Sequence, residues 1–141
     1  MKQDIAVTVD AVIFKVKGNI TEVLLIKRKN DPYKNNWAIP GGFLEEDEDL
    51  ETASKRELQE ETGLQIEALH QLKTYGAIDR DPRGRTISIA FAGIINSAFE
   101  VKGADDAEEA NWFEMNDLPA LAFDHLEILE DAKVWLVNQK A

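Results

Sequence analysis

The sequence predicts one α/β domain in which a mixed β-sheet lies between helices. The chain has 141 residues, which is enough for one domain with its own core. Its composition, 44% hydrophobic and 30% charged residues, is ordinary for a globular protein. Strand-like and helix-like segments alternate along the chain, and such an order buries apolar faces best when helices cover a sheet. We therefore expect residues 1–141 to form a single domain.

The first third of the chain is expected to be mostly β-structure. Residues 5–16 alternate loosely with β-branched residues and predict a strand, and residues 22–28 predict a second, largely buried strand. After a polar loop, residues 37–39 form a short apolar piece. Residues 40–42, Pro-Gly-Gly, are a strong turn signal, so we expect that piece to end in a turn.

The middle of the chain predicts a helix followed by two strands. Residues 49–62 are rich in helix formers and stop at Gly63, a residue type common just past helix ends. Residues 64–78 are expected to hold one strand and residues 79–84 a loop. Residues 86–95 then alternate, with apolar side chains on one side and Thr and Ser on the other, which predicts a second strand.

The last third predicts a loop, a strand and a helix. We expect a loop over residues 102–109 and a strand over residues 111–114. Asp124 and Glu127 resemble a capping box at the start of a helix. Behind them an apolar stripe at helical spacing predicts that this helix covers the core. The residues of the stripe are Ile128, Leu129, Ala132, Trp135 and Leu136.

Charge and composition exclude several classes of protein. The formal charge of −11 argues against nucleic-acid binding, which needs clustered Lys and Arg. No apolar run approaches the roughly 18 residues that span a bilayer, and the N-terminus lacks a signal-peptide block. The absence of cysteine and the presence of only two histidines exclude thiol chemistry and a His-rich metal site. We expect a cytoplasmic protein with neither nucleic-acid nor membrane partners.

Three glutamates are crowded together on the first predicted helix. Glu57, Glu60 and Glu61 fall within a sector of about 100° at 3.6 residues per turn. Like charges at this spacing destabilise a helix, and the helix dipole disfavours anions near the C-terminus. Two interpretations are open: a solvated acidic face, or a site for a hard divalent cation, which would remove the repulsion.

The surroundings of this helix decide between the two interpretations. Gly42 is followed by five residues, then Glu48, seven further residues, and residues 56–64 with the sequence Arg-Glu-Leu-Gln-Glu-Glu-Thr-Gly-Leu. This pattern matches every specified position of the Nudix box, G-x5-E-x7-R-E-U-x-E-E-x-G-U, where U is a bulky aliphatic residue. The chain therefore resembles the Nudix family. The resemblance implies an α/β/α sandwich and metal-dependent hydrolysis of a diphosphate bond linked to another group, usually a nucleoside.

The resemblance also implies roles for individual residues. Glu57, Glu60 and Glu61 would bind Mg²⁺, with Mn²⁺ as a substitute, and the backbone carbonyl of Gly41 would be a further ligand. Arg56 would orient a glutamate. Glu48 would make an outer metal contact or brace its loop, or would simply be one acid that favours the helix start.

A carboxylate outside the box often activates water or binds metal in this family. We expect Asp106, and then Glu109, to take this role. The alternative is that both belong to a solvated loop.

Two further stretches resemble ADP-ribose pyrophosphatase-like members of the family, residues 80–91 and residues 121–125. In the first, Arg83 and Arg85 could meet a phosphate or a ribose, or could be solvated arginines of a hairpin loop. Adenine could stack on an aromatic side chain, although such side chains more often lie in a core. The aromatic candidates are Trp37, Tyr33 and Phe123. We expect His125 at the surface or in the capping region of the last helix.

We therefore expect an enzyme that hydrolyses ADP-ribose, or a similar nucleoside diphosphate sugar, to AMP and a sugar phosphate. The first alternative is a Nudix hydrolase of oxidised or ordinary nucleoside triphosphates. The second is a non-hydrolytic ADP-ribose sensor of a transcriptional regulator, against which we note that no DNA-binding module follows the Nudix-like region before Ala141. The expected partner is a small nucleotide, and a homodimer is expected by analogy alone.

Overall fold

The computed structural model describes residues 2–96 and 107–139, which form a seven-stranded sheet between two helices. The helices are α1 (Leu50–Thr62) and α2 (His125–Gln139). The strands are β1 (Ala6–Lys17), β2 (Ile20–Arg28), β3 (Trp37–Ala38), β4 (Gly41–Phe43), β5 (His70–Tyr75), β6 (Thr86–Ile95) and β7 (Ala107–Glu114). Neither helix of the described part combines the length and the apolar character needed to span a bilayer. The mixed α/β sandwich expected from the sequence is confirmed.

The sheet follows the order β3-β2-β1-β6-β5, with β4 added to β1 and β7 added to β2. Strands β1 and β6 are parallel, and the other neighbours are antiparallel. On its edge away from β6, β1 pairs with β2 near Phe14 but with β4 near Thr8. Strands β1 and β2 therefore diverge, and the segment that carries β3 and β4 fills the space between them.

The two faces of β1 contribute to two layers of the core. Val9, Ala11 and Ile13 pack in the cluster that includes Leu58 of α1, whereas the alternate side chains of the strand pack in the cluster that includes Ile128 of α2. Alternation along a strand places Thr8 and Asp10 on the α2 side, together with Val12 and Phe14. Polar side chains thus enter the interior at the N-terminal half of β1.

Two expectations differ from the structure because long-range strand pairing outweighs local composition. Gly41 and Gly42, which were expected in a turn over residues 40–42, belong to β4 and pair with β1. Strand β7 begins at Ala107, inside the expected loop, because its backbone pairs with β2. The expected alternation of β6 is present, and its polar side chains Thr86 and Ser88 are buried as well, because a strand in the middle of this sandwich is covered on both faces.

The expected end of α1 is confirmed, since Gly63 has a left-handed backbone (φ 80°) and its N–H bonds to the carbonyl of Gln59. The capping box expected at α2 takes a different form. Both oxygens of Asp124 accept hydrogen bonds from the Arg80 guanidinium, at 2.7 and 2.8 Å. The start of α2 is thereby attached to the loop before β6.

His125 is the first residue of α2 and is buried, with 6% of its surface exposed, so it lies in the expected capping region but not at the surface. Its Nδ1 accepts a hydrogen bond of 3.0 Å from the backbone N–H of Ile39. The ring is therefore neutral with its proton on Nε2. Burial lowers the pKa of His125 to about 4, because the charged form would lose its hydration. The interaction attaches α2 to the segment between β3 and β4.

We predict that His125→Leu lowers the free energy of unfolding at pH 7 by about 1–3 kcal/mol, because it leaves the N–H of Ile39 buried without an acceptor. His125→Asn, which can present an oxygen to that N–H, should lose less. Urea denaturation of the three proteins measures the difference.

The difference in the free energy of unfolding between wild type and His125→Leu depends on pH, and the direction of this dependence can be predicted. The folded pKa of about 4 lies below the usual 6.5, so the unfolded chain takes up the proton first as the pH falls. The stability that neutral His125 provides is therefore complete above pH 6.5 and is lost between pH 6.5 and 4. The gap between wild type and His125→Leu should narrow from pH 7 to pH 5.5, and a constant gap would contradict this assignment.

Candidate active site

A cleft of about 500 Å³ lies where the β3–β4 segment separates β1 from β2. Side chains of opposite charge line it. The acids include Asp10 of β1 and two glutamates of α1, Glu57 and Glu61. The bases include Arg28 at the end of β2 and Arg80 in the loop before β6. Such a surface can bind a ligand that carries both anionic and hydroxyl groups.

Gly41 and Gly42 bring the backbone of β4 against the side chains of α1. The N–H of Gly41 donates a 2.8 Å hydrogen bond to Oε1 of Glu61. At Gly42, an added Cβ would lie 2.7 Å from the carboxylate carbon and oxygens of Glu57. On its other side, Gly41 packs against the side chain of Asp10. Glycine is required at both positions because any side chain would displace one of these carboxylates.

Arg56 connects three of the acidic residues of the box. Its guanidinium donates to Glu48 at 2.7 and 2.9 Å, to Glu57 at 2.8 Å and to Glu60 at 3.1 Å. These bonds raise the pKa of Arg56, and the bond from Arg56 lowers the pKa of Glu48. Glu48 also accepts the N–H of Glu45 at 2.9 Å, so it joins its own loop to α1. Arg56 thus fixes the position of the Glu57 carboxylate.

The three crowded glutamates do not share one environment. Glu57 and Glu61 line the cleft, whereas Glu60 lies outside the lining, with 42% of its side chain exposed and Arg56 as its partner. Within the described residues, no three acidic or histidine side chains form a group that could hold a metal by themselves. Of the three crowded glutamates, two therefore face the cleft, beside the backbone at Gly41.

A buried polar network forms another part of the cleft. Arg80 donates through Nε and Nη2 to Asp124 and through Nη1 to the hydroxyl of Ser88, at 2.7–2.8 Å. Ser88 in turn shares a hydrogen bond with Thr8 across the parallel pair β1 and β6. All three side-chain nitrogens of Arg80 are therefore engaged within the protein. The network holds the loop before β6 and the start of α2 in one arrangement.

Asp10 lies beside this network and is only 4% exposed. Its Oδ2 is buried and accepts no hydrogen bond from the described residues. Burial raises the pKa of Asp10 to about 7; Arg80 opposes the shift, and the charges of Asp124 and Glu57 add to it. Asp10 is thus a buried acceptor in the wall of the cleft.

Aromatic rings and arginines form the rim of the cleft. The guanidinium of Arg83 lies 5.0 Å from the ring of Phe43 and 5.5 Å from the ring of Phe123. Asp81 holds Arg83 in this position through hydrogen bonds of 2.8 and 3.1 Å. Tyr33 packs on Phe123 with a centroid distance of 4.8 Å. Flat side chains on this rim can stack against a planar base.

The structure separates the residues that we considered for substrate contact. Arg83 and Phe123 line the cleft, whereas Trp37 and Arg85 do not. The ring of Trp37 packs edge-on against Phe113, at 4.7 Å, in the core layer on the α2 side. Arg85 lies on the outer side of its loop, with its nearest backbone acceptor, at Gly76, 3.5 Å away.

Of the two carboxylates expected from outside the box, only Glu109 belongs to the described residues. Asp106 lies outside the described residues. Glu109 lies on β7, where its carboxylate is 3.7 Å from the ammonium group of Lys27, and it does not line the cleft.

Sequence reasoning overlooked Asp10, Arg80 and Phe43, and it did not predict that His125 is buried. A signal for Asp10 was available: a single acid within an otherwise apolar strand is unusual unless it is paired or functional. Arg80 and Phe43 carry no such signal, because their partners are distant in sequence. Only the fold brings them to the cleft.

Comparisons with known proteins agree with this geometry. The NUDIX domain model matches residues 4–132. An ADP-ribose pyrophosphatase from Methanocaldococcus jannaschii is 48% identical over 92% of the chain and 74% of its own length. The ADPR responsive transcriptional repressor NtrR of Acinetobacter baylyi is 36% identical over 94% of the chain, which spans only 54% of the repressor.

Two solved structures of Nudix proteins are also similar to this chain. The NUDIX domain of Shewanella oneidensis NrtR, in a cocrystal with ADP ribose, superposes with a TM-score of 0.89 at 32% identity, over 96% of this chain and 90% of that one. A MutT/nudix family protein from Enterococcus faecalis gives a TM-score of 0.90 at 31% identity, over 98% of this chain and 64% of that one. The chain belongs to the Nudix family.

Proposed function

We propose that the chain hydrolyses the diphosphate bond of ADP-ribose, or of a similar nucleoside diphosphate sugar, to AMP and a sugar phosphate. The observation that carries the proposal is the cleft in which Glu57 and Glu61 of the Nudix box face buried and rim arginines. The similarity to the Methanocaldococcus pyrophosphatase supports the substrate class. We further propose that residues 1–141 act as one domain in the cytoplasm, and that a homodimer is the assembly.

Mg²⁺ is the proposed cofactor, with Mn²⁺ as a substitute. Mg²⁺ commonly binds through one or two carboxylates together with waters and substrate phosphates, and Glu57 and Glu61 supply such a donor set. The backbone carbonyl of Gly41 is the proposed third protein donor. When bound, the ion would neutralise phosphate charge and lower the pKa of a water. Because the chain carries a charge of −11, such neutralisation also helps a diphosphate to approach.

The other residues of the box would act through these ligands. Arg56 holds Glu57 by a 2.8 Å hydrogen bond, and Glu48 holds Arg56. Glu60 would reach the same ion only after leaving Arg56, so we propose a smaller role for it. Asp106 stays our proposal for the carboxylate that activates water, with Glu109 as its alternative.

On the rim, we propose that Arg83 and Phe123 contact the nucleotide. The guanidinium can bind a phosphate or hydroxyl group, and the ring can stack on adenine. Trp37 and Arg85, which lie away from the cleft, would contribute only indirectly.

The relatives favour one alternative function, binding of ADP-ribose without hydrolysis. The Acinetobacter relative is a transcriptional repressor, and the Shewanella domain is described in complex with ADP ribose. Against this alternative, the glutamates of the box are all present. A sensor needs a pocket for the ligand, but it does not need carboxylates arranged for a metal at the diphosphate.

We predict that the purified protein with Mg²⁺ converts ADP-ribose to equal amounts of AMP and ribose 5-phosphate, as measured by chromatography with a panel of nucleotides. Release of pyrophosphate from nucleoside triphosphates without cleavage of ADP-ribose would favour the triphosphate hydrolase. Binding of ADP-ribose with no product would favour the sensor.

We predict that Glu61→Gln lowers kcat by about 100-fold or more, because an amide is a poor ligand for Mg²⁺ but can still accept the N–H of Gly41. Glu60→Gln should lower it less than tenfold. Glu51→Gln is the matched control, since Glu51 lies on the same helix and pairs at the surface with Lys55. Nearly wild-type turnover by Glu61→Gln would refute the metal assignment.

We predict that Gly42→Ala lowers kcat at least tenfold, because its Cβ would lie 2.7 Å from the Glu57 carboxylate and force it to move. Gly76→Ala is the control, since a Cβ there meets no atom within 4 Å among the described residues. Steady-state kinetics and thermal unfolding of both variants separate an active-site effect from a folding defect. Equal activities of the two variants would contradict the close packing of Gly42 on Glu57.

A further inference from the structure

One buried polar atom in the wall of the cleft has no role in the function proposed above. The Oδ2 atom of Asp10 is buried and has no hydrogen-bond partner among residues 2–96 and 107–139. A buried acceptor without a partner costs free energy, and it persists where a ligand supplies the missing donor. Asp10 lines the cleft, so its side chain forms part of the wall that a bound molecule would contact.

The backbone holds Asp10 in a fixed position. It pairs with Ala90 of β6 on one side and with Gly41 of β4 on the other, in the middle of the sheet. Its carbonyl also accepts a 3.4 Å hydrogen bond from the hydroxyl of Ser54 on α1. A side chain on such a strand is oriented before any ligand arrives, which is the arrangement expected of a binding group.

The surroundings of Asp10 define the kind of donor that fits. Asp10 and Glu57 pack against the consecutive glycines Gly41 and Gly42, so two carboxylates approach the same short stretch of backbone. A phosphate placed at Asp10 would meet negative charge. A neutral donor would not be repelled, and a hydroxyl group is the neutral donor that a sugar offers in number.

Neither Arg80 nor the aromatic rim offers a simpler explanation. The three hydrogen bonds of the Arg80 guanidinium go to Asp124 and Ser88, and none of its N–H groups is bonded to the Oδ2 of Asp10. The stacking surface for a base lies elsewhere, where Phe43 and Phe123 flank Arg83.

We propose that Asp10 is a substrate-binding residue whose carboxyl group accepts a hydrogen bond from a ribose hydroxyl of the bound nucleoside diphosphate sugar. The inference rests on the proposed function for the identity of the ligand. ADP-ribose has two sugars, and either could supply the hydroxyl. Through this contact, the protein would bind nucleotides that carry the required ribose hydroxyl more tightly than nucleotides that lack it.

The test combines variants of Asp10 with analogues of ADP-ribose that lack single hydroxyls. Affinities are measured by titration calorimetry with Ca²⁺ in place of Mg²⁺, so that no turnover is needed. The analogues are the 2′-deoxy and 3′-deoxy forms of the adenosine ribose and methyl-ADP, which lacks the terminal ribose. Asp10→Ala removes the acceptor, Asp10→Leu removes it while nearly keeping the size of the side chain, and Asp117→Asn is the control at an exposed aspartate.

We expect Asp10→Ala to weaken binding of ADP-ribose by about 3–100-fold, the range that covers hydrogen bonds to neutral and to charged groups. One analogue should lose a similar factor with the wild type and should bind wild type and Asp10→Ala equally. That analogue identifies the sugar. Asp117→Asn should behave as the wild type, and Asp10→Leu, which also lacks an acceptor, provides the same comparison if Asp10→Ala does not fold.

Two results would overturn the inference. Equal weakening of ADP-ribose and all analogues would show that Asp10 supports the site as a whole. Unchanged affinity of the Asp10 variants for ADP-ribose would show that water satisfies Oδ2. Both differ from a failure of the proposed function, which would appear as a wild type that binds ADP-ribose in calorimetry but does not cleave it with Mg²⁺.

Discussion

The cleft depends on the contact between two glycines of β4 and two glutamates of α1. Gly41 gives its N–H to Glu61, and Gly42 leaves room for the carboxylate of Glu57. This approach is possible because β1 and β2 diverge and leave a space in the sheet for the β3–β4 segment. A sheet in which β1 and β2 stayed paired along their whole length would have no place for this backbone, and the carboxylates of α1 would face no cleft.

Charge in the cleft is balanced by pairs that differ in exposure. Arg80 and Asp124 form a largely buried pair that connects a loop to a helix, with 4% and 20% of their side chains exposed. Arg83 is more exposed, and Asp81 holds it beside two aromatic rings. A buried pair keeps its geometry because breaking it is costly, whereas an exposed arginine can exchange partners at small cost. The protein therefore combines a fixed wall with an adaptable rim, and only the rim is suited to adjust to a ligand.

Local signals in the sequence predicted the parts of the fold that local interactions decide. The end of α1 at Gly63 and the bounds of β6 follow from capping preference and alternation. Strand β4 could not be predicted in this way, because Pro-Gly-Gly favours a turn until β1 offers a partner. The Nudix box likewise pointed to Glu57 and Glu61, which lie in the cleft. The position of Arg80 could not be predicted from local sequence, because its partner Asp124 is 44 residues away.

The arrangement of the three glutamates shows why motif and geometry are not equivalent. Side chains four residues apart on a helix lie about 40° from each other, and those three apart lie about 60° away on the other side. Glu57 and Glu61 therefore share the direction of the cleft, while Glu60 turns outward, where Arg56 is within 3.1 Å. One arginine thus holds a cleft-facing carboxylate and an outward-facing one, so removing its charge would release both. The spacing of the motif predicts which acids are neighbours, but the packing of α1 on the sheet decides which of them face a substrate.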